Sequence, residues 1–267
     1  MNSQSEFAEE LETAEQAARE AGMIILALYG KDYRIEEKGR GNPVTTADLE
    51  ANHRIREIVM SRYPEDGWLS EENKDDLKRL NASRVWIVDP IDGTKEFIEG
   101  IPQFAVSISL AVAGYPVLGI VYNPVEETFY HAVRGSGALL NGSPIHVSLR
   151  EKLQGASVLV SRSDPKRKFR LLVGTCRLQP VGSIALRLAK VAAGEGDGTL
   201  TFHRLHEWDV CAGVLIVEEA GGTVVDGAGH RLVFNQEDAQ CRGLVASCGS
   251  LTQGLHEMLA QVLAEAR

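Results

Sequence analysis

The chain has 267 residues, 44% hydrophobic and 24% charged, with a formal net charge of −9. That length can bury one large core or two packed ones, and the acidic balance argues against a nucleic-acid duplex as partner, because neutralising its phosphates takes clustered Lys and Arg. No apolar run approaches the ~18 residues of a membrane span, and the polar, acidic start lacks the basic and apolar parts of a secretory signal, so a cytoplasmic protein without a transmembrane segment is expected.

Phe7, Leu11, Ala14, Ala18, Ala21 and Ile25 recur at helical spacing and predict a first helix, stopped at Gly30. Residues 36–42, where Lys38 and Arg40 alternate with Gly39 and Gly41, read as a mobile loop. Thr46 is placed to cap a second helix carrying Ala51, Ile55, Ile58 and Val59 on one side, ended by Tyr63-Pro64. From Arg84 the period becomes that of strands: 85–88, 104–112, 117–122, 128–133 and 138–140, with turns at Gly114-Tyr115-Pro116 and Asn141-Gly142. The second half alternates strand 157–160, helix 183–193, helix 209–220 stopped by Gly221-Gly222, strand 244–247 and helix 251–266. This order predicts a layered α/β fold, with a boundary near residues 148–155 dividing 1–150 from 151–267. Cys176, Cys211, Cys241 and Cys248 form no C-x-x-C pair and read as small buried hydrophobes, not a zinc site.

The most informative segment runs an apolar strand into Asp89 and Asp92. Pro90 fixes φ between them and Gly93 permits a sharp turn. Two carboxylates at a strand end repel each other and resist burial, and a divalent cation removes that cost. Oxygen donors without paired Cys or His point to Mg²⁺, with Mn²⁺ as a substitute. A lone turn of this type more often caps backbone amides. Here two further acidic sites fit the same centre: Ser70-Glu71-Glu72, and Asp209 at the start of an apolar helix, where an N-cap role is also expected. His203 and His206 show no metal-ligand spacing and suit a surface or a substrate-rim position equally. Lys166, Arg167 and Lys168 form a basic cluster that suits a solvated helix face, or contact with a second phosphate.

Asp89-Pro90-Ile91-Asp92-Gly93-Thr94 with Phe97, Trp208-Asp209 with Ala212-Gly213, and Ala220-Gly221-Gly222 together resemble the inositol monophosphatase superfamily. Pro43-Val44-Thr45 with Asp48, Ser70-Glu71-Glu72, Gly182-Ser183 and Val191-Ala192 with Gly194 follow in family order, so the resemblance spans nearly the whole chain. It implies an αβαβα sandwich of the sugar-phosphatase type. Residues 1–150 would carry most metal ligands, and residues 151–267 the substrate contacts and Asp209.

The resemblance implies that Glu71, Asp89 and the Ile91 carbonyl hold one Mg²⁺, and that Asp89, Asp92 and Asp209 hold a second. A third, weaker ion would sit between Glu71 and the segment bearing Lys38. Glu71 and Thr94 would orient and deprotonate the attacking water, with Asp48 holding the Thr94 hydroxyl. The implied substrate-binding set is Asp92, Gly93, Thr94, Ser161, Arg162, Gly182, Ser183 and Asp209. Lithium inhibition is implied as well.

Within the superfamily, Lys95-Glu96-Phe97 and Ser161-Arg162-Ser163 are similar to the 3′(2′),5′-bisphosphate nucleotidase branch, although Asp164 stands where that branch continues with His. The inositol-contacting Glu of inositol monophosphatases falls at or beside Phe202 here, so that contact is missing. The expected partner is a small phosphorylated metabolite, with adenosine 3′,5′-bisphosphate the leading candidate and an inositol or sugar phosphate the alternative; a homodimer is left open. A catalytically silent binding relative is the competing class, and loss of an acidic ligand would be its mark. None is lost.

Overall fold

The computed structural model describes residues 6–39, 42–165 and 169–265. In chain order, α1 (Ala8–Leu28) precedes a hairpin of β1 (Ile35–Gly39) and β2 (Asn42–Thr45), then α2 (Thr46–Arg62). A seven-stranded sheet follows: β3 (Gly67–Ser70), β4 (Arg84–Asp92), β5 (Ala105–Val112), β6 (Tyr115–Asn123), β7 (Thr128–Val133), β8 (Ala138–Leu140) and β9 (Ser143–Ile145). The one-turn helix α3 (Thr94–Ile98) sits between β4 and β5. The strands lie side by side in chain order, β3 parallel to β4 and the rest antiparallel.

The second half supplies β10 (Ser157–Ser161), β11 (Arg177–Val181), α4 (Ile184–Ala192), β12 (Gly198–His206), α5 (Glu207–Glu219), β13 (Thr223–Asp226), β14 (Gln240–Ser247) and α6 (Thr252–Glu265). These strands form a five-stranded sheet ordered β11-β10-β12-β14-β13.

Side-chain alternation assigns the layers. In β4, Trp86 and Val88 join Ala18 and Ile25 of α1 and Ile55 of α2 in one core. Val85 and Ile87, on the opposite face, join Leu188 of α4, Cys211 and Leu215 of α5, and Leu159, Leu244 and Ala246 of the second sheet. Val158, Val160, Leu200 and Val245, on the outer face of that sheet, pack with Leu255 and Leu259 of α6. The result is the expected αβαβα sandwich, with α4 and α5 as a middle layer shared by both sheets. α5 lies directly on β6: a Cβ at Gly119 would come within 2.7 Å of the Ala212 carbonyl oxygen.

Several local expectations change. Of the expected loop 36–42, residues 36–39 and 42 are strand: β1 and β2 pair antiparallel, Ile35 opposite Thr45, and residues 40–41 lie outside the described set. The cap of α2 is Thr45 rather than Thr46, because its hydroxyl and the Asp48 carboxylate satisfy each other's backbone amides. α5 begins at Glu207 with His206 as N-cap, so Asp209 is the third helical residue. The short strands β3, β9, β11 and β13 and the long β12 are additions that the sequence pattern does not signal.

Candidate active site

β4 delivers the first two carboxylates. Its register with β5 shifts between Asp89 and Asp92, where Pro90 breaks the ladder. Asp89 Oδ1 accepts the Ile91 N–H at 2.9 Å, which fixes the turn. Gly93 has φ 104°, and a Cβ there would meet the Gln103 carbonyl oxygen at 3.0 Å, so the residue must be glycine. Thr94 opens α3 and donates its hydroxyl to Asp48 Oδ1 at 2.9 Å, with the Ile91 carbonyl a second acceptor at 3.2 Å. Asp48 Oδ2 accepts the Thr45 N–H at 2.7 Å. Burial raises the pKa of Asp48 even though its bonds to Thr45 and Thr94 favour the charged form.

The second half brings the remaining groups. Ser183, the N-cap of α4, donates its hydroxyl to Asp92 Oδ2, and the Ala185 N–H donates to the same oxygen at 2.6 Å. Asp209 Oδ2 accepts the His206 N–H at 2.7 Å. Each of Asp89, Asp92 and Asp209 offers one oxygen, and these lie within 4.8 Å of one another.

Burial pushes Asp92 up to about 6. It pushes Asp89 and Asp209 well above the carboxylate range, with the neighbouring acids adding to the shift. Among the described residues no Lys or Arg is ion-paired with any of the three; His206, 3.9 Å from Asp209, is the nearest basic side chain. Such a group of buried acids is unstable as anions unless a cation joins them. The donor set is all oxygen, which fits a hard divalent ion.

Glu71 lies at the end of β3, anchored by its N–H to the Val88 carbonyl oxygen at 3.2 Å. Lys38 on the hairpin donates to Glu71 Oε1 at 3.0 Å and Glu72 Oε1 at 2.7 Å. Burial lifts Glu72 to about 7. For Lys38 burial works against the charge, yet the two glutamates prevail and raise its pKa.

Glu71, Asp89, Ile91, Asp92, Gly93, Thr94, Ser161, Gly182, Ser183 and Asp209 line one cavity of about 390 Å³. Of the residues singled out in the sequence, Asp48 stands behind Thr94, and Arg162 pairs with Glu96 at 3.1 Å and Glu99 at 3.3 Å. Lys166, Arg167 and Lys168 lie outside the described residues. His203 and His206 both line the cavity, and His206 stacks on Trp208 with ring centroids 4.4 Å apart. Phe202 points the other way, packing on Phe169 at 5.5 Å. Alternation along β12 explains this, since Thr201, His203 and Leu205 take the cavity face. Sequence reasoning missed Thr201, Leu205 and Arg187 among the lining residues. A period-2 reading of 199–205 could have found the first two, and an Arg amid the apolar run of α4 the third.

The sequence matches the inositol monophosphatase family over residues 7–267. The chain belongs to that family. It is 34% identical over 231 residues to the inositol monophosphatase of Mesembryanthemum crystallinum, covering 82% of this chain and 86% of that one. It is equally 34% identical, over 232 residues, to the fructose-1,6-bisphosphatase/inositol-1-monophosphatase of Thermotoga maritima, covering 85% and 89%. Among solved structures, the Thermotoga maritima IMPase superposes with a TM-score of 0.87 at 29% identity, covering 97% of this chain and 100% of that one. Members of this family are divalent-metal-dependent phosphatases of small phosphorylated substrates, in keeping with the acidic cluster. No helix among the described residues is long and apolar enough to cross a membrane.

Proposed function

We propose that this chain hydrolyses small phosphomonoesters with two or three Mg²⁺ ions, with 3′(2′),5′-bisphosphate nucleotides as the preferred class. The observation that carries the phosphatase reading is the convergence of Asp89, Asp92 and Asp209, from both halves of the chain, within 4.8 Å. Glu71, Asp89 and the Ile91 carbonyl would hold one ion, and Asp89, Asp92 and Asp209 the other. When bound, Mg²⁺ supplies the positive charge that acidifies an attacking water and offsets charge on the departing oxygen.

The protein's own groups do the rest. The Thr94 hydroxyl, committed as a donor to Asp48, is left with lone pairs to orient one proton of the water. Glu71 accepts the other proton. Gly93 and Thr94 amides bind the phosphate oxygens. The P–O ester bond breaks as the water oxygen bonds to phosphorus, and Asp209 orients the group that returns a proton to the leaving oxygen. No phosphoenzyme is involved.

The nucleotide preference is supported by Lys95-Glu96-Phe97, by Ser161-Arg162-Ser163, and by the absence of a polyol-binding Glu at or beside position 202, where Thr201 and His203 take the cavity face. A site without that polar contact gains little from inositol hydroxyls. The second reading, an inositol or sugar phosphatase, is favoured by the names of the relatives. Phosphate release with Mg²⁺ from adenosine 3′,5′-bisphosphate and from inositol 1-phosphate separates them: a higher kcat/KM on the nucleotide is expected. The reverse order assigns the chain to the second reading, and release from no phosphomonoester rejects both.

A further inference from the structure

Arg187 is buried in the middle of α4, 3% exposed, among Ile184, Ala185, Leu188 and Val191. An arginine is costly in such surroundings unless its donors are used. Among the described residues only Nη1 is hydrogen-bonded, to Thr199 Oγ1 at 3.2 Å and the Leu200 carbonyl at 3.4 Å. Thr199 is itself tied to the Leu159 carbonyl at 2.9 Å, so one corner of the guanidinium is fastened to the second sheet. Nε is buried without a partner.

The side chain nevertheless lines the catalytic cavity, next to Ser183, Thr201 and His203. Its charge is felt by Asp92, Asp164 and Glu96, but none of the three is hydrogen-bonded to it among the described residues, and Asp92 Oδ2 already accepts from Ser183 and Ala185. Arg187 is thus not the hydrogen-bond partner of that ligand. Lys95 is the other permanently charged cation among the described lining residues, set against Glu71, Asp89, Asp92, Glu96 and Asp209. A guanidinium with unused donors, fixed in orientation and set in an acidic cavity, is a receptor for an oxyanion.

We infer that Arg187 receives a second anionic group of the substrate, at the end of the cavity formed by α4 and β12. The inference rests on the phosphatase reading and deepens it. With the scissile phosphate at Asp92, Gly93 and Thr94, the body of the substrate extends past Ser183, and a second phosphate or carboxylate reaches the arginine. It applies to a nucleotide or a polyol alike, because what Arg187 reads is charge and fork geometry.

The test compares substrates that share a scaffold and differ by one phosphate: adenosine 3′,5′-bisphosphate against adenosine 3′-phosphate, and inositol 1,4-bisphosphate against inositol 1-phosphate. The readout is the ratio of kcat/KM, bisphosphate over monophosphate, in wild type, Arg187→Lys and Arg187→Met. The wild-type ratio should exceed one for at least one scaffold. Arg187→Met should lower it at least tenfold through KM, and Arg187→Lys, which keeps the charge and loses the fork, should fall between.

A ratio unchanged by the substitutions, even if both activities drop, overturns the inference and leaves Arg187 a structural or charge-balancing group. So does a wild-type ratio below one on both scaffolds. If Arg187→Met does not fold, judged by circular dichroism, the ratio in Arg187→Lys decides by the same criterion. Absence of turnover of all four compounds by wild type rejects the nucleotide and inositol readings. The inference is then judged by calorimetric binding of the two nucleotides: selective weakening of the bisphosphate in Arg187→Lys supports it, and equal binding overturns it.

Discussion

Thr94 shows how much chemistry rests on a single hydroxyl. It donates to a buried aspartate that is itself locked by the cap of α2, so the oxygen has little freedom to turn. Thr94→Val keeps the shape and removes that oxygen. Phosphate release should fall by roughly 10²–10⁴-fold with little change in thermal midpoint, while Thr94→Ser should keep much of the activity. Asp92→Asn should likewise fold and lose nearly all turnover, since an amide cannot balance bound Mg²⁺; near-normal phosphate release by the mutant would refute the metal assignment. Asp89, Asp92 and Thr94 were legible because they sit in one unbroken stretch with Pro90 and Gly93. Asp209 was legible as an acid opening an apolar helix. Arg187 shows in the sequence as an arginine inside the apolar run of α4, but its place in the cavity depends on how α4 packs against β12. The partner of Arg162 was not legible either, since Glu96 reaches it only once α3 and β10 are neighbours.

At the scale of elements, the helices and the long strands of the first sheet followed from periodicity, and the pieces that failed lack a readable apolar alternation. β1 is exposed along its length and has no apolar face to reveal it. β3 and β13 are four residues each, too short for alternation to register. β12 carries polar residues on its cavity side, which masks a strand in a pattern search. What the elements do to each other is clearer at the contact of α5 with β6. Gly119 leaves no space for a methyl, because the obstructing atoms are Ala212 backbone. Gly119→Ala should therefore cost about 1–3 kcal/mol in urea unfolding, and should also lower activity by lifting α5, with Asp209, away from β4.

At the scale of the whole molecule, the acidic centre couples stability to pH. Asp89 and Asp209 titrate well above their ordinary range and Asp92 at about 6. In the unfolded chain these groups lose their protons near ~3.9. Without Mg²⁺ the folded state therefore holds more protons than the unfolded one, and their contribution to stability falls as pH rises from about 4 through 6 and above. His131 and His206, whose pKa values burial lowers, work in the opposite direction, against three carboxylates whose values it raises. Mg²⁺ competes with those protons, so the rise in melting temperature on adding it should be larger at about pH 8 than at about pH 5. A rise independent of pH would remove the carboxylates from the metal site. The difference between the two measurements cancels every group that Mg²⁺ does not touch.

The middle layer has a further consequence. α4 and α5 are encoded in the second half of the chain, yet their core includes strands of the first sheet. Neither half can hide its apolar surface alone. Fragments cut near residue 150 should be insoluble when made apart and should regain phosphatase activity when made together, a case of intragenic complementation in which the middle helices supply the adhesive and the reconstituted acid cluster supplies the readout.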